Sequence, residues 1–209
     1  MSNKYKINIG YLQMNIDCIF YINLDHRTDR KCEIEGELNS MGLSYERFAA
    51  IRHETIGGVG CGRSHVGVLK LAKERGYKRI MVLEDDFMFT SNPHDAVSKL
   101  HDISFDVCLL SYNLFHSSES AEYPFLRRVH EAQTTSGYII NAHYYDALIA
   151  VFEDAIPQFE QTNHHWLYAI DVAWKVLQRR DTWYCFSPRI GKQRPSYSDC
   201  GNCYSEVDW

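Results

Sequence analysis

The chain has 209 residues, enough to bury a core, and its 45% hydrophobic and 23% charged content excludes an intrinsically disordered protein. A net charge of −5 without any long run of Lys or Arg argues against nucleic acid as a partner, while leaving room for a small anion in a local basic pocket. One domain spanning 1–209 is the natural expectation for this length.

Nothing at Met1-Ser2-Asn3-Lys4-Tyr5-Lys6 reads as a secretory signal, and apolar stretches such as Val107 to Leu110 fall far short of the roughly 20 residues of a membrane helix. The cysteines number seven, are scattered, and in several cases lie inside apolar runs, which suits a reduced compartment. The expectation is a cytoplasmic protein without a transmembrane segment. Cys200-Gly-Asn-Cys203 has the spacing of half a zinc site, but no second Cys or His pair lies near it, so ordinary thiols are expected there.

In chain order, Cys18 to Leu24 is a short apolar run of strand type. Asp29 to Met41 suits a helix stopped by Gly42, and Leu43 to Ile51 a second strand. A Gly-rich turn, Gly57 to Gly62, precedes a helix from Arg63 to Lys73 that aligns His65, Leu69 and Ala72 on one face. Arg79 to Leu83 is the next strand. A helix opens at Asn92 or Pro93 and runs to about Leu100, followed by a strand at Phe105 to Tyr112. Ser117 to Glu122 reads as a polar loop, Gly137 to Ile140 as a strand, and Ala142 to Phe152 and Trp166 to Gln178 as helices. Strands alternating with helices predict an α/β fold whose ligand lies at the carboxyl ends of the strands.

The most informative segment is the apolar strand that stops in Glu84-Asp85-Asp86. Three adjacent carboxylates repel one another unless something positive binds them, and a hard cation such as Mn²⁺ or Mg²⁺ prefers such oxygens. The plainer reading is a solvated acidic loop. Arg27 and Arg30 follow a buried strand and are suited to phosphate, or else to surface ion pairs with Asp29 or Glu33. Gly60-Cys61-Gly62-Arg63-Ser64-His65 lets a backbone approach a ligand, with His65 either catalytic or a structural hydrogen bonder. Asp171, between Leu167 at i−4 and Trp174 at i+3, borders the apolar stripe Trp166, Ile170, Ala173, Trp174 and Leu177. A carboxylate so placed is costly without a purpose or a partner: a functional group, a helix cap or a buried ion pair.

Together these segments resemble glycosyltransferase family 25, which includes lipooligosaccharide and procollagen galactosyltransferases. The family's INL-x-R-R-x-D-R opening is similar to Ile22-Asn23-Leu24-Asp25-His26-Arg27-Thr28-Asp29-Arg30, its G-C-x-x-S-H helix start to Gly60 through His65, and its V-x-E-D-D strand end to Val82 through Asp86. Ser136-Gly137-Tyr138, Ile170-Asp171, Pro188, Gln193 and Ser198-Asp199 continue the pattern in order. The resemblance implies a GT-A-type fold with a mostly parallel central sheet flanked by helices, a UDP-sugar donor, Mn²⁺ (or Mg²⁺), and inverting transfer of a hexose, galactose or glucose, to a glycan or glycoprotein acceptor. It implies Asp86 and Glu84 as metal ligands, Asn23, Leu24, Arg27, Arg30, Ser64, His65, Glu84, Asp85, Gly137 and Gln193 about the donor, and Asp171 as general base. No histidine follows His165, where some relatives carry one near the end, and Asp199 is the candidate substitute. The alternative is an inactive sugar- or nucleotide-binding module on the same fold.

Overall fold

In the computed structural model, which describes residues 14–199 and 203–205, the apolar run forms β1 (Cys18–Asn23), whose side chains alternate between two cores. Phe20 and Ile22 enter one; Ile19 and Tyr21 enter the other. Helix α1 (Thr28–Ser40) buries Arg30, Ile34 and Leu38 at successive i+4 positions, and Gly42 turns the chain in a left-handed conformation at φ +67°. There follow β2 (Glu46–Ala49), α2 (Gly57–Glu74), β3 (Arg79–Glu84), β4 (Phe87–Phe89) and α3 (Pro93–Val97), which Asn92 caps by accepting the His94 amide before a 3₁₀ turn at Ser98–Leu100. The chain continues through β5 (Val107–Leu109), β6 (Asn113–Glu119), β7 (Leu126–Gln133), β8 (Gly137–Asn141), α4 (Tyr145–Thr162), α5 (His165–Tyr168), α6 (Ile170–Ala173), α7 (Lys175–Arg180) and β9 (Trp183–Phe186). The short strands β10 (Gly191–Gln193), β11 (Ser196–Ser198) and β12 (Cys203–Ser205) finish the described residues. The readings made at Met1 to Lys6 and at Cys200 lie outside those residues.

Eight strands form one sheet in the order β2-β1-β3-β8-β5-β9-β7-β6. β1 pairs parallel with both β2 and β3, and β5 parallel with β9, whereas β8 is antiparallel to both β3 and β5, and β7 to both β9 and β6. Six strands therefore share a direction and β8 and β7 oppose it. The expectation of an α/β fold with a mostly parallel central sheet flanked by helices holds, with β8 and β7 making the sheet mixed. Helices α2 and α4 cover one face, contributing Val68, Leu69, Leu148 and Phe152; α1 and α3 cover the other with Ile34, Leu38 and Val97.

Four expectations change. Gly57 to Gly62 is the first part of α2 and not a turn, because close approach to neighbouring segments outweighs the low helix propensity of glycine. A Cβ on Gly60 would come within 2.4 Å of the Ile51 carbonyl oxygen, and one on Gly62 within 3.0 Å of both Ile156 and Ile170. Ser117 to Glu119 belongs to β6, not to a loop. Its partner β7 escapes sequence patterning because Leu126, Val129 and Ala132 are buried at intervals of three, against a partner strand whose register shifts around His116. The helix expected over Trp166 to Gln178 is three short pieces, interrupted at Ala169, whose ψ of 142° is extended. Trp166 and Leu167 consequently lie exposed, while Ile170, Trp174 and Leu177 are buried as expected. Finally, the helix begun at Ala142 opens with a 3₁₀ turn and continues to Thr162.

These contacts set opposite outcomes for two glycine-to-alanine changes. Gly60→Ala drives a methyl into backbone and is expected to cost about 1–3 kcal/mol. Gly36→Ala, in α1 with nothing within 4 Å, should stabilise by up to about 1 kcal/mol. Thermal melts of the two variants against the parent check the pair.

Candidate active site

The carboxyl ends of β1 and β3 lie side by side, with Ile22 opposite Glu84, so the polar residues that follow each strand meet. Asn23 donates from Nδ2 to Asp85 Oδ2 at 2.7 Å and to the Arg27 carbonyl at 3.0 Å, and its Oδ1 accepts from Arg47 Nε at 3.0 Å. Arg30 enters from the first turn of α1. Its Nη1 lies 2.8 Å from Asp85 Oδ1 and 3.2 Å from Asp86 Oδ2, and its Nη2 binds Ser196 Oγ and the Tyr197 carbonyl. Asp85 and Asp86 are both buried, at 7% and 8% exposure, which overturns the solvated-loop reading. The positive group that permits this crowding is Arg30 of the same chain.

The acids are not equivalent. Burial, reinforced by the Glu84 charge, pushes the Asp86 carboxyl up to about 7 despite Arg30. Burial also raises Asp85, with Arg30 and Asn23 acting against it. Burial opposes ionisation of Glu84 as well, but hydrogen bonds and charge from His65 and a hydrogen bond from Thr135 outweigh it and leave Glu84 below the usual carboxylate range. Glu84 Oε1 lies 3.3 Å from His65 Nε2 and accepts from Thr135 Oγ1 at 2.6 Å, while His65 Nδ1 lies 3.0 Å from the buried Tyr138 hydroxyl. Glu84 is thus turned toward α2 and β8, and Asp86 toward α1. Asp86 Oδ1 and Arg30 Nε are buried without a hydrogen-bond partner.

A cavity of about 560 Å³ opens over these strand ends. Among the expected site residues its wall holds Leu24, Arg30, Ser64, Glu84, Asp85, Asp86 and Gln193. Asn23, His65 and Gly137 stand behind the wall as supports. Gly137 lies where a Cβ would meet Phe87 at 2.4 Å, and Ser64 ties α2 to the preceding loop by accepting the Ile51 amide and donating to the Gly60 carbonyl. Arg27 is also outside the wall. It is paired with Asp29 and Asp199 rather than presented to a phosphate, and Asp199 in turn accepts from His26. The Arg27–Asp29 pair is the ion pair that the sequence left open; Arg30 pairs with Asp85 and Asp86 instead.

A second cavity, about 260 Å³, adjoins the first through Cys61, Glu84 and Gln193, which line both. Asp171 lines it. The break at Ala169 turns Asp171 toward the β7–β8 loop, where its Oδ2 accepts the Thr134 amide at 3.2 Å, and burial raises its carboxyl above the ordinary range. Residues that the sequence did not single out also line the first cavity, notably Arg52, His53, Glu54 and Thr55. The available signal was their place, between a strand's carboxyl end and a helix, where α/β sheets bind ligands.

No protein-family model matches the chain. Curated relatives named glycosyltransferase 25 family member, from Drosophila melanogaster and Drosophila pseudoobscura pseudoobscura, are 25% and 26% identical over 104 residues, covering 37% of this chain and 17% of each relative. The match therefore spans less than a fifth of those relatives' length. The resemblance to glycosyltransferase family 25 is accordingly present in aligned sequence as well as in motifs. Among solved structures, A197 from STIV has a TM-score of 0.51 at 13% identity, covering 84% of both chains, a likeness of fold. A glycosyltransferase involved in the glycosylation of the major capsid of PBCV-1 has a TM-score of 0.44 at 11% identity, covering 88% of this chain and 85% of its own.

The two arginines separate in their structural weight. Arg30→Met leaves Asp85 and Asp86 without their cation and is expected to cost about 3–5 kcal/mol. Arg27→Met breaks pairs with more exposed partners and should cost about 1 kcal/mol. Denaturant unfolding of both variants measures the difference.

Proposed function

We propose that the chain is a glycosyltransferase that moves a hexose, galactose or glucose, from a UDP-sugar onto a hydroxyl of a glycan or glycoprotein acceptor, with inversion. The observation that carries this reading is the pair of adjoining cavities, one at a buried carboxylate–arginine cluster and the other holding a raised carboxylate, Asp171. The larger is of the size that takes a small-molecule ligand. The family resemblance supplies the substrate class.

Asp86 offers a hard divalent cation a first ligand atom. Asp86 Oδ1 is a buried oxygen with no hydrogen-bond partner, beside Glu84 and Asp85, and carboxylate oxygens suit Mn²⁺ or Mg²⁺. Asp86 would hold the ion directly and Glu84 would contribute to its field. Bound there, the cation supplies charge neutralisation for the departing diphosphate. Arg30 keeps Asp85 and Asp86 in place, Asn23 orients Asp85, and Gln193 lies at the wall common to both cavities.

On the acceptor side, Asp171 takes the proton from the attacking hydroxyl. Its raised affinity for protons comes from burial and makes it a stronger base than an ordinary carboxylate, and the Thr134 amide fixes one oxygen so that the other can face the acceptor. An inverting displacement needs the base and the leaving group on opposite sides of the reacting carbon, which the placement of Asp171 and Asp86 in different cavities supports.

Calorimetric titration of UDP is expected to show binding with Mn²⁺ that is lost in EDTA. Asp86→Asn should remove the metal-dependent binding while keeping a cooperative thermal transition, and equal affinity with and without EDTA would refute the metal assignment. For Asp171→Asn, UDP binding should persist while transfer, or donor hydrolysis in its place, falls about 10²–10⁴-fold. Near-normal kcat at saturating acceptor would remove Asp171 from the role of base. A chain that binds UDP-sugar and turns over none would be the inactive binding module instead.

A further inference from the structure

Among the described residues, Cys61, His65 and Glu84 are the three donor side chains close enough to share a cation, with their sulfur, nitrogen and oxygen atoms all within 4.8 Å of one another. We propose that they form a second metal site, selective for a borderline-soft divalent cation of the Zn²⁺ class, with Glu84 as a direct ligand here while Asp86 remains the direct ligand of the all-oxygen site. Cys61 and His65 lie at i and i+4 on α2 and so share a helix face, and Glu84 meets them from the end of β3.

The outer contacts are those of a ligand set. His65 is fully buried and its Nδ1 is held by the Tyr138 hydroxyl at 3.0 Å, which leaves Nε2 directed at Glu84. Thr135 holds Glu84 Oε1 at 2.6 Å. Partners of this kind fix the orientation of metal-bound imidazole and carboxylate groups. Sulfur, imidazole nitrogen and carboxylate oxygen are the donors Zn²⁺ takes, and three protein ligands leave a fourth position. Because Cys61 and Glu84 line both cavities, that position faces the space between them. Binding releases the thiol proton to solvent, draws the thiolate inward and replaces the His65–Glu84 contact with two metal bonds. It places a positive charge on the wall that the two cavities share.

Co²⁺ serves as the probe, added to the full chain after treatment with chelator. The expected result is a thiolate-to-cobalt charge-transfer band at one equivalent, displaced by Zn²⁺, absent in Cys61→Ser and retained in Cys32→Ser, which alters an exposed thiol. No band, or the same band in Cys61→Ser, would overturn the proposal and assign any thiolate to other cysteines. If Cys61→Ser does not fold, Glu84→Gln provides the second test: Zn²⁺ affinity should fall at least about tenfold, and unchanged affinity overturns the site. Tyr138→Phe is expected to weaken Zn²⁺ about 10–100-fold through its contact with His65. In Asp86→Asn the cobalt band should persist even where Mn²⁺-dependent UDP binding is lost, so the two sites fail separately.

Discussion

Two carboxylates buried side by side at the end of a strand, with one guanidinium between them, are the constraint from which the rest of the site follows. Taking Asp85 and Asp86 out of water costs several kcal/mol for each charge unless attraction and hydrogen bonds offset it. Arg30 supplies the attraction, and it reaches them because α1 begins a short turn after β1 and buries the stripe that Arg30, Ile34 and Leu38 share. Asn23 supplies a hydrogen bond because β1 lies beside β3 in parallel register. The same arginine reaches the Tyr197 carbonyl and Ser196, so the segment near β11 is tied to the acids it helps to enclose.

Against that cluster, the protein keeps some donor capacity unspent. Asp86 Oδ1 and Arg30 Nε are buried and unpartnered, and Asp86 holds its proton more tightly than an ordinary carboxyl because of burial and the neighbouring Glu84 charge. Buried polar atoms are normally satisfied, and these two are exceptions among the described side chains. Glu84 behaves differently, with His65 and Thr135 already bound to it. One run of three acids therefore faces two environments: Asp86 belongs to the arginine side, and Glu84 to the boundary with the second cavity.

The second cavity depends on backbone irregularity. If Trp166 to Gln178 were one helix, Trp166 would share the buried stripe with Ile170 and Trp174. The extended Ala169 instead leaves Trp166 exposed, buries Ile170, and lets Asp171 accept a hydrogen bond from the β7–β8 loop at Thr134, itself in a left-handed conformation at φ +84°. Trp174 locks the arrangement, its indole N–H donating to the Ala132 carbonyl and its ring packing edge-on against Tyr138 and Trp183.

The α/β class, the places of β1, α1, β3 and β8, the helix face of His65, Leu69 and Ala72, and the gathering of acids and arginines at strand ends were all legible in the residues. Each rests on a short-range rule: strand alternation, helical spacing or a glycine stop. The resemblance to glycosyltransferase family 25 was legible too, and curated relatives of that name align with part of the chain. What only the tertiary structure decided was partnership. The sequence placed Arg27 and Arg30 alike near a nucleotide, yet one pairs with Asp29 and Asp199 and the other with Asp85 and Asp86. It read Gly57 to Gly62 as a turn, because propensity disfavours glycine in a helix, whereas the approach of Ile51, Ile156 and Ile170 makes glycine the residue that fits. The β6–β7 pair and the break at Ala169 were likewise outside its reach. Spacing along the chain limits which face a side chain occupies, but a salt bridge, a close backbone contact or a bulge is set by a partner distant in sequence, and that partner appears only when the sheet has brought the strand ends together.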